Sequence, residues 1–310
     1  MDDGRAPKIG NATPSLDDLD ALLDRPADWP ELEPDLLRHL LFYQCLSYGV
    51  DPDDDEVPRV TALARLAVER LHPAVRRQVV LEVARAVERL HREHEIRDGA
   101  GYTNGLLPFL VEEHDPSVVA AAACEMAILL PLEDGDPMSG PKYVESFIDE
   151  IARDDARAGI IAGLLSLGDK RVEPLVARGW RRLGDEGRQS LALLIQGVHG
   201  LHVGTVKFLL DWLEDEASNP ETPSFGMVAA TMARAGLHAA DHGVVDVVRS
   251  FPVNVAPEGK PFRVVRTFSR DELQPILRRR LERLAGAGKP SELIASVLRC
   301  WGLLVEETRG

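Results

Sequence analysis

Histidines and acids at regular spacings are the first residues to ask about chemistry. Residues 88–95 read ERLHREHE. On a helix Glu88 and His91 share a face, with His94 one turn further on. Glu-x-x-His is the spacing by which helical bundles hold a di-iron centre. Such a centre also needs a matching pair and further glutamates on facing helices, so the stretch is read as the charged end of a long helix. His199 and His202 flank the turn HGLH, and His238 and His242 flank HAAD. Four imidazoles would suit zinc if the two turns stacked. Structural zinc sites show tighter recurring spacings, and histidines are common beside the carbonyl ends of helices. Asp51, Asp53 and Asp55 echo a calcium loop. The sixth position of that frame is Glu56 where glycine makes the turn, and the twelfth is Ala62 where a bidentate glutamate belongs.

Nucleophile and nucleotide chemistry find no frame either. Cys45, Cys124 and Cys300 are far apart in apolar surroundings, with no Cys-x-x-Cys pair, and are expected as buried thiols in a reducing compartment. Gly-x-Gly-x-x-Gly, the P-loop and Gly-x-Ser-x-Gly do not occur. No catalytic residue, cofactor or metal ligand is assigned.

The elements that would have to position any site read as helices. Apolar residues make up 45% of the 310 and aromatics only 5%, so the core is built mainly of Ala, Leu and Val, which suits close helix–helix contact. Ser15 and Asp18 form the start of a short helix as an acidic capping box, with Leu16, Leu19, Leu22 and Leu23 on its apolar face. A proline-broken connection leads to a helix over residues 36–48. Further helices are expected to start near Val57, Pro73, Gly101, Pro116, Lys142, Ala156, Arg171, Gly187, Val203, Pro223 and Gly243, separated by short breaks such as LGDKR and LGDEG. Only residues 251–268, FPVNVAPEGKPFRVVRTF, alternate like a strand, around a Pro-Glu-Gly-Lys turn. Two helices follow, over 269–285 and 290–306. The stripe of the first is Leu273, Leu277, Leu281 and Leu284, while Arg278, Arg279, Arg280 and Arg283 take other faces.

Charge is distributed unevenly. The net charge is −15. Residues 1–60 hold 15 acids and 5 bases, residues 61–250 hold 29 and 20, and residues 251–310 hold 7 and 11. Such a chain repels phosphate backbones, which disfavours general nucleic-acid binding and leaves only the C-terminal bases for a local exception. The longest apolar run, residues 118–132, is shorter than a membrane span and carries Glu125. With no charged-then-apolar leader in the first residues, the expectation is a cytoplasmic protein that does not enter a membrane.

An internal period is the strongest pattern. HPAVRRQVVLEVARAVERL from His72 matches DPSVVAAAACEMAILLP from Asp115. Weaker copies begin at Asp154, Asp185 and Thr222. Arg76, Val119, Arg157, Arg188 and Gly226 are equivalent anchors, at spacings of 43, 38, 31 and 38 residues. A two-helix unit with this variable period, its second helix opening Asp-Pro-x-Val-Arg, resembles the HEAT repeat of the armadillo-like alpha-solenoids. Asp115, Pro116 and Val118 match that opening, as do Pro73, Val75 and Arg76. His72 and Val119 depart from it, and Gly226 leaves the last unit without either. The resemblance implies an all-α, right-handed alpha-alpha superhelix with one irregular or hairpin insertion at 251–268. It divides the chain into a disordered tail (1–14), an acidic helical cap (15–56), helix-pair repeats (57–250), the loop or hairpin, and a C-terminal helical cap (269–310).

Function follows from that resemblance as an expectation. Solenoids offer extended binding surfaces, so the chain reads as a non-enzymatic scaffold or adaptor for a protein partner, one with basic patches to match the acidic surface. Trp180, Arg181, Trp212, Glu214 and Asp215 are the expected partner-binding residues. The other reading is a nucleic-acid enzyme resembling the HEAT-like alkylpurine DNA glycosylases, which use Trp, Asp and Arg on a concave face. Trp180, Arg181, Arg182, Asp211 and Trp212 resemble that set, but a region with nine more acids than bases offers no basic groove.

Overall fold

The computed structural model describes residues 14–50, 56–94, 102–134, 136, 138–167, 170–196, 203–216, 223–242, 244–245, 268–286 and 291–303. Asp51, Asp53 and Asp55, His199 and His202, and residues 251–267 of the alternating segment lie outside them, as do residues 1–13 of the N-terminal stretch. The described chain is all-α apart from one two-residue strand pair. It divides into two compact units, Met1–Gly163 and Leu164–Gly310.

The first unit holds α1 (Leu16–Leu23), α2 (Pro34–Val50), α3 (Glu56–Arg70), α4 (Pro73–His94), α5 (Leu107–Val111), α6 (Pro116–Asp134), α7 (Ser139–Glu150) and most of α8 (Asp154–Ser166). Ser15 caps α1 through the expected box: its hydroxyl accepts from Asp18 N, and the Asp18 carboxylate accepts from Ser15 N. Leu19, Leu22 and Leu23 are buried, but Leu16 is exposed, because it sits in the first turn outside the packed face. The proline-broken connection is a 3-10 turn, Pro26–Glu31, pinned where the Trp29 indole donates to Leu22 O at 2.9 Å.

Helices contact alternate neighbours. α2 packs on α4 and α4 on α6, while α3 packs on α5. α6 is the apolar helix of the sequence, and it is buried on most sides. Its half-buried strip runs through Ser117, Ala121 and Glu125, one turn apart, so the single mid-helix charge stays at the rim. On another side Gly159 and Gly163 of α8 meet α6 backbone. A Cβ at Gly163 would lie 2.6 Å from Ala120 O, and one at Gly159 would lie 2.7 Å from Pro116 O. The alanines and glycines of this pattern therefore mark a close, parallel helix contact.

Arginines at the period anchors tie the helix pairs together. Arg76, in the first turn of α4, donates to Leu71 O at the end of its own first helix. It also forms a buried bidentate pair with Glu113 after α5. Arg157 repeats the first contact, with Nε 2.7 Å from Ile151 O. These are cations on helix C-terminal carbonyls, the favourable end of the dipole. Where the anchor is Val119 the partner role passes to another residue: Arg153 donates to Glu113 O.

The second unit holds α9 (Glu173–Trp180), α10 (Asp185–Gln196), α11 (Val203–Glu216), α12 (Pro223–His242), α13 (Arg270–Gly286) and α14 (Ser291–Cys300). The alternation recurs: α10 packs on α12 and α12 on α14, while α11 packs on α9 and α13. Trp301 is wholly buried against α12, its indole donating to Met232 O at 2.9 Å, and Gly236 leaves the room for its ring. Gly243, near which a helix is expected to begin, lies outside the described residues; just after it β1 (Val244–Val245) pairs antiparallel with β2 (Phe268–Ser269), because two adjacent valines after the long α12 favour extended backbone. Leu277, Leu281 and Leu284 of the α13 stripe are buried.

Candidate functional site

The expected partner-binding residues fall on α9 and α11 and in the turn between α9 and α10, and the structure brings most of them together. Trp180 and Trp212 stack with Phe208, the two indole centroids 6.0 Å apart and Phe208 edge-on to Trp180. They are core residues. Trp212 is 0% exposed and Trp180 6%, so neither indole presents a face to a partner or to a base. The physical reason is helical spacing: Phe208, Leu209 and Trp212 share the inward face of α11, and the same face cannot also meet solvent. Both indole nitrogens lack a hydrogen-bond partner, as does the buried Nε of Arg188. The Arg188 guanidinium lies 4.7 Å over the Trp180 ring, a cation–π contact in partly desolvated surroundings.

The acids of this set are engaged by the chain's own arginines. Arg280 on α13 holds Glu214 with two hydrogen bonds, 2.8 and 2.7 Å, and reaches Asp211 at 2.5 Å. The Arg280 hydrogen bond keeps the Glu214 carboxyl below its ordinary range, against partial burial that pushes it up. Arg188 lies 3.5 Å from both Asp215 and Glu216. Buried Glu216 also accepts from Ser224 at 2.7 Å. Arg188 thus repeats the Arg76 plan, a second-helix anchor reaching a glutamate that closes the next first helix. Of the five expected residues, Arg181 and Asp215 are exposed and Glu214 half-buried. Charge on α11 that reads as a platform for a basic partner is largely spent inside the unit.

Metal-binding patterns are placed no better for chemistry. His238 and His242 lie in the last turns of α12, which ends at His242. The chain holds another Glu-x-x-His with the same letters as Glu88 to His91, namely Glu69 to His72. Helix α3 ends at Arg70, and His72 Nδ1 accepts from Ala74 N instead, so those two side chains do not share a helical face. Among the described residues no group of three or more His, Cys, Asp or Glu is placed to hold a metal ion. No helix among them is long and apolar enough to cross a membrane.

An open apolar groove lies in the first unit. Between α2 and α4 runs a groove of 510 Å³ lined by Phe42, Leu46, Glu82, Arg85, Ala86, Arg89 and Leu90. Phe42 and Leu46 are one turn apart on α2, and Ala86 and Leu90 are one turn apart on α4, all four half-buried. One end is closed by Arg38 of α2 and Glu82 of α4, paired at 2.5 and 2.6 Å. Arg85 and Arg89 stand exposed along the rim. Sequence reading missed this groove because Phe42 and Leu46 lie off the α2 stripe of Leu37, Leu40, Leu41 and Gln44. The signal was present in the two apolar residues left over at a spacing of four. No family model matches the chain, and neither does any curated protein or solved structure.

Proposed function

We propose that this chain is a non-enzymatic helical-repeat scaffold of the HEAT-like kind, and that it works by binding a protein partner. The groove between α2 and α4 supports this reading most directly: an apolar floor, open to solvent, between two parallel helices. Helix pairs whose members contact alternate neighbours are what a right-handed alpha-alpha superhelix produces. The recurring arginine anchors give the helix pairs a shared joint, as repeat units require. An apolar strip on such an array suits the face of another protein better than it suits a reacting small molecule, which needs convergent polar groups.

The test is site-specific photo-crosslinking in cells. A photoreactive side chain at Leu46, in the groove, should give a discrete adduct with another protein. The same group at Leu193, an exposed leucine of α10, is the comparison. No protein adduct at position 46, or equal adducts at both positions, would count against the reading.

A further inference from the structure

We infer that the α2–α4 groove receives an amphipathic helix from a partner, with carboxylates flanking its apolar face. This rests on the protein-binding role proposed above and specifies its chemistry. The floor is two apolar pairs, Phe42 and Leu46 on α2 and Ala86 and Leu90 on α4, each one turn apart, which is the kind of apolar groove that takes the i, i+3, i+4, i+7 face of a docking helix. Three charged residues line it. Glu82 is already neutralised: Arg38 holds both its oxygens, and Gln78 donates to it at 3.1 Å. Arg85 and Arg89 are one turn apart on the same side of α4, exposed, and make no ion pair among the described residues.

The unspent charge of the groove is therefore positive, on a chain whose net charge is −15. That sign inverts the expectation drawn from overall composition. A partner guided by this groove carries acids at its rim, not bases. The apolar floor selects a helix face over a phosphate backbone, which would leave Phe42 and Leu46 facing polar groups. Long-range repulsion from the acidic remainder makes the two rim arginines the discriminating contacts rather than a source of general attraction.

The test uses the full chain and two synthetic helical peptides, read by fluorescence anisotropy. Both carry leucines at the i, i+3, i+4, i+7 spacing. One has glutamates on the flanks and the other has lysines at the same positions. The glutamate peptide should bind saturably, and the lysine peptide about tenfold more weakly, the scale of two rim ion pairs. The double variant Arg85→Glu/Arg89→Glu should reverse that order. Both substitutions are at exposed positions, and a thermal melt monitored by circular dichroism confirms that folding is kept. Equal affinity for the two peptides, or an order that survives the reversal, overturns the inference. So does a dimer of the protein alone that the double variant dissociates, because the groove would then be a self-contact. If peptide binding is absent while position 46 still crosslinks to a protein, the partner chemistry is wrong and the scaffold role stands. If both fail, both readings fall.

Discussion

Arg76 holds Glu113 through two parallel hydrogen bonds, Nε to Oε2 and Nη2 to Oε1, each 2.7 Å, with both side chains buried. The pair links the first turn of α4 to the segment between α5 and α6. Glu113 Oε1 also accepts from His114 N and Asp115 N, at 2.7 and 2.8 Å. Arg76 meanwhile donates to Leu71 O, closing the turn before its own helix. Each charge is therefore fully partnered, which is the condition under which a buried pair is tolerated at all.

Removing one partner should cost far more than removing both. Arg76→Met leaves a buried carboxylate without its cation, and a loss of about 3–5 kcal/mol is expected. The double variant Arg76→Met/Glu113→Leu should recover a large share of that. Urea unfolding of the four chains in a double-mutant cycle measures it. A double variant as unstable as the single one would mean that the backbone bonds of Glu113, not the ion pair, hold the joint.

Legibility followed the physics of each feature. The shared role of Arg76 and Arg157 was readable because the same carbonyl-capping task recurs and needs the same side chain. Val119 broke the pattern, and its substitute, Arg153, lies in the following pair, where no local spacing points to it. Helix α6 was readable from its alanines. The close contact with α8 depended on Gly159 and Gly163, whose meaning appears only when two helices are side by side. Trp180 and Trp212 were misread as partner-facing for a simple reason. Large aromatics signal burial and binding equally well, and only packing separates the two. Glu214 of α11 was read as a partner-binding charge because its own partner, Arg280, is more than sixty residues further along the chain.

Two glycines, Gly163 in the α6–α8 contact and Gly226 in α12, carry opposite predictions. Gly163→Ala puts a methyl group against Ala120 O and Ala123 Cβ, both backbone-held, so a cost of about 1–3 kcal/mol is expected. Gly226 sits within α12 with nothing within 4 Å of an added Cβ. Gly226→Ala should therefore stabilise by up to about 1 kcal/mol through helix propensity alone. Thermal melts of the two variants decide it, and the same sign for both would refute the packing argument.

Gln44 is a second place where stability is withheld. Its side chain is 0% exposed in the core of the first unit, and neither the amide nitrogen nor the oxygen has a hydrogen-bond partner. An unsatisfied buried amide costs about 1–3 kcal/mol. Gln44→Met keeps the length and removes the polar atoms, so the variant should be more stable than the parent by a substantial part of that amount. Equilibrium urea unfolding reads the change. A less stable variant would mean that ordered water serves the amide in solution.

Arg280 and Glu214 give the chain a stability term with a defined pH window. Hydrogen bonding from Arg280 comes first among the causes that lower the Glu214 carboxyl below its ordinary value of 4.5, helped by the charges of Arg280 and Arg283 and opposed by partial burial. A carboxyl depressed in the folded state binds its proton less readily there than in the unfolded chain. The unfolded state therefore takes up protons first as pH falls, and stability falls with it. The contribution is fully present above the ordinary glutamate value and is lost as pH drops through the lower, folded one. Glu214 is one-third exposed, so solvent screening limits the pair to about 0.5–1 kcal/mol. Arg280→Gln should lower stability by that much at neutral pH, and the gap between variant and parent should close as the solution is taken below the ordinary glutamate range. Added salt should narrow the gap as well, since Asp211 and Glu214 both remain partly in solvent. Urea unfolding of parent and variant across that acid range provides the measurement. A gap that stays constant with pH would assign the Arg280 effect to the packing of its aliphatic stem instead of to its charge.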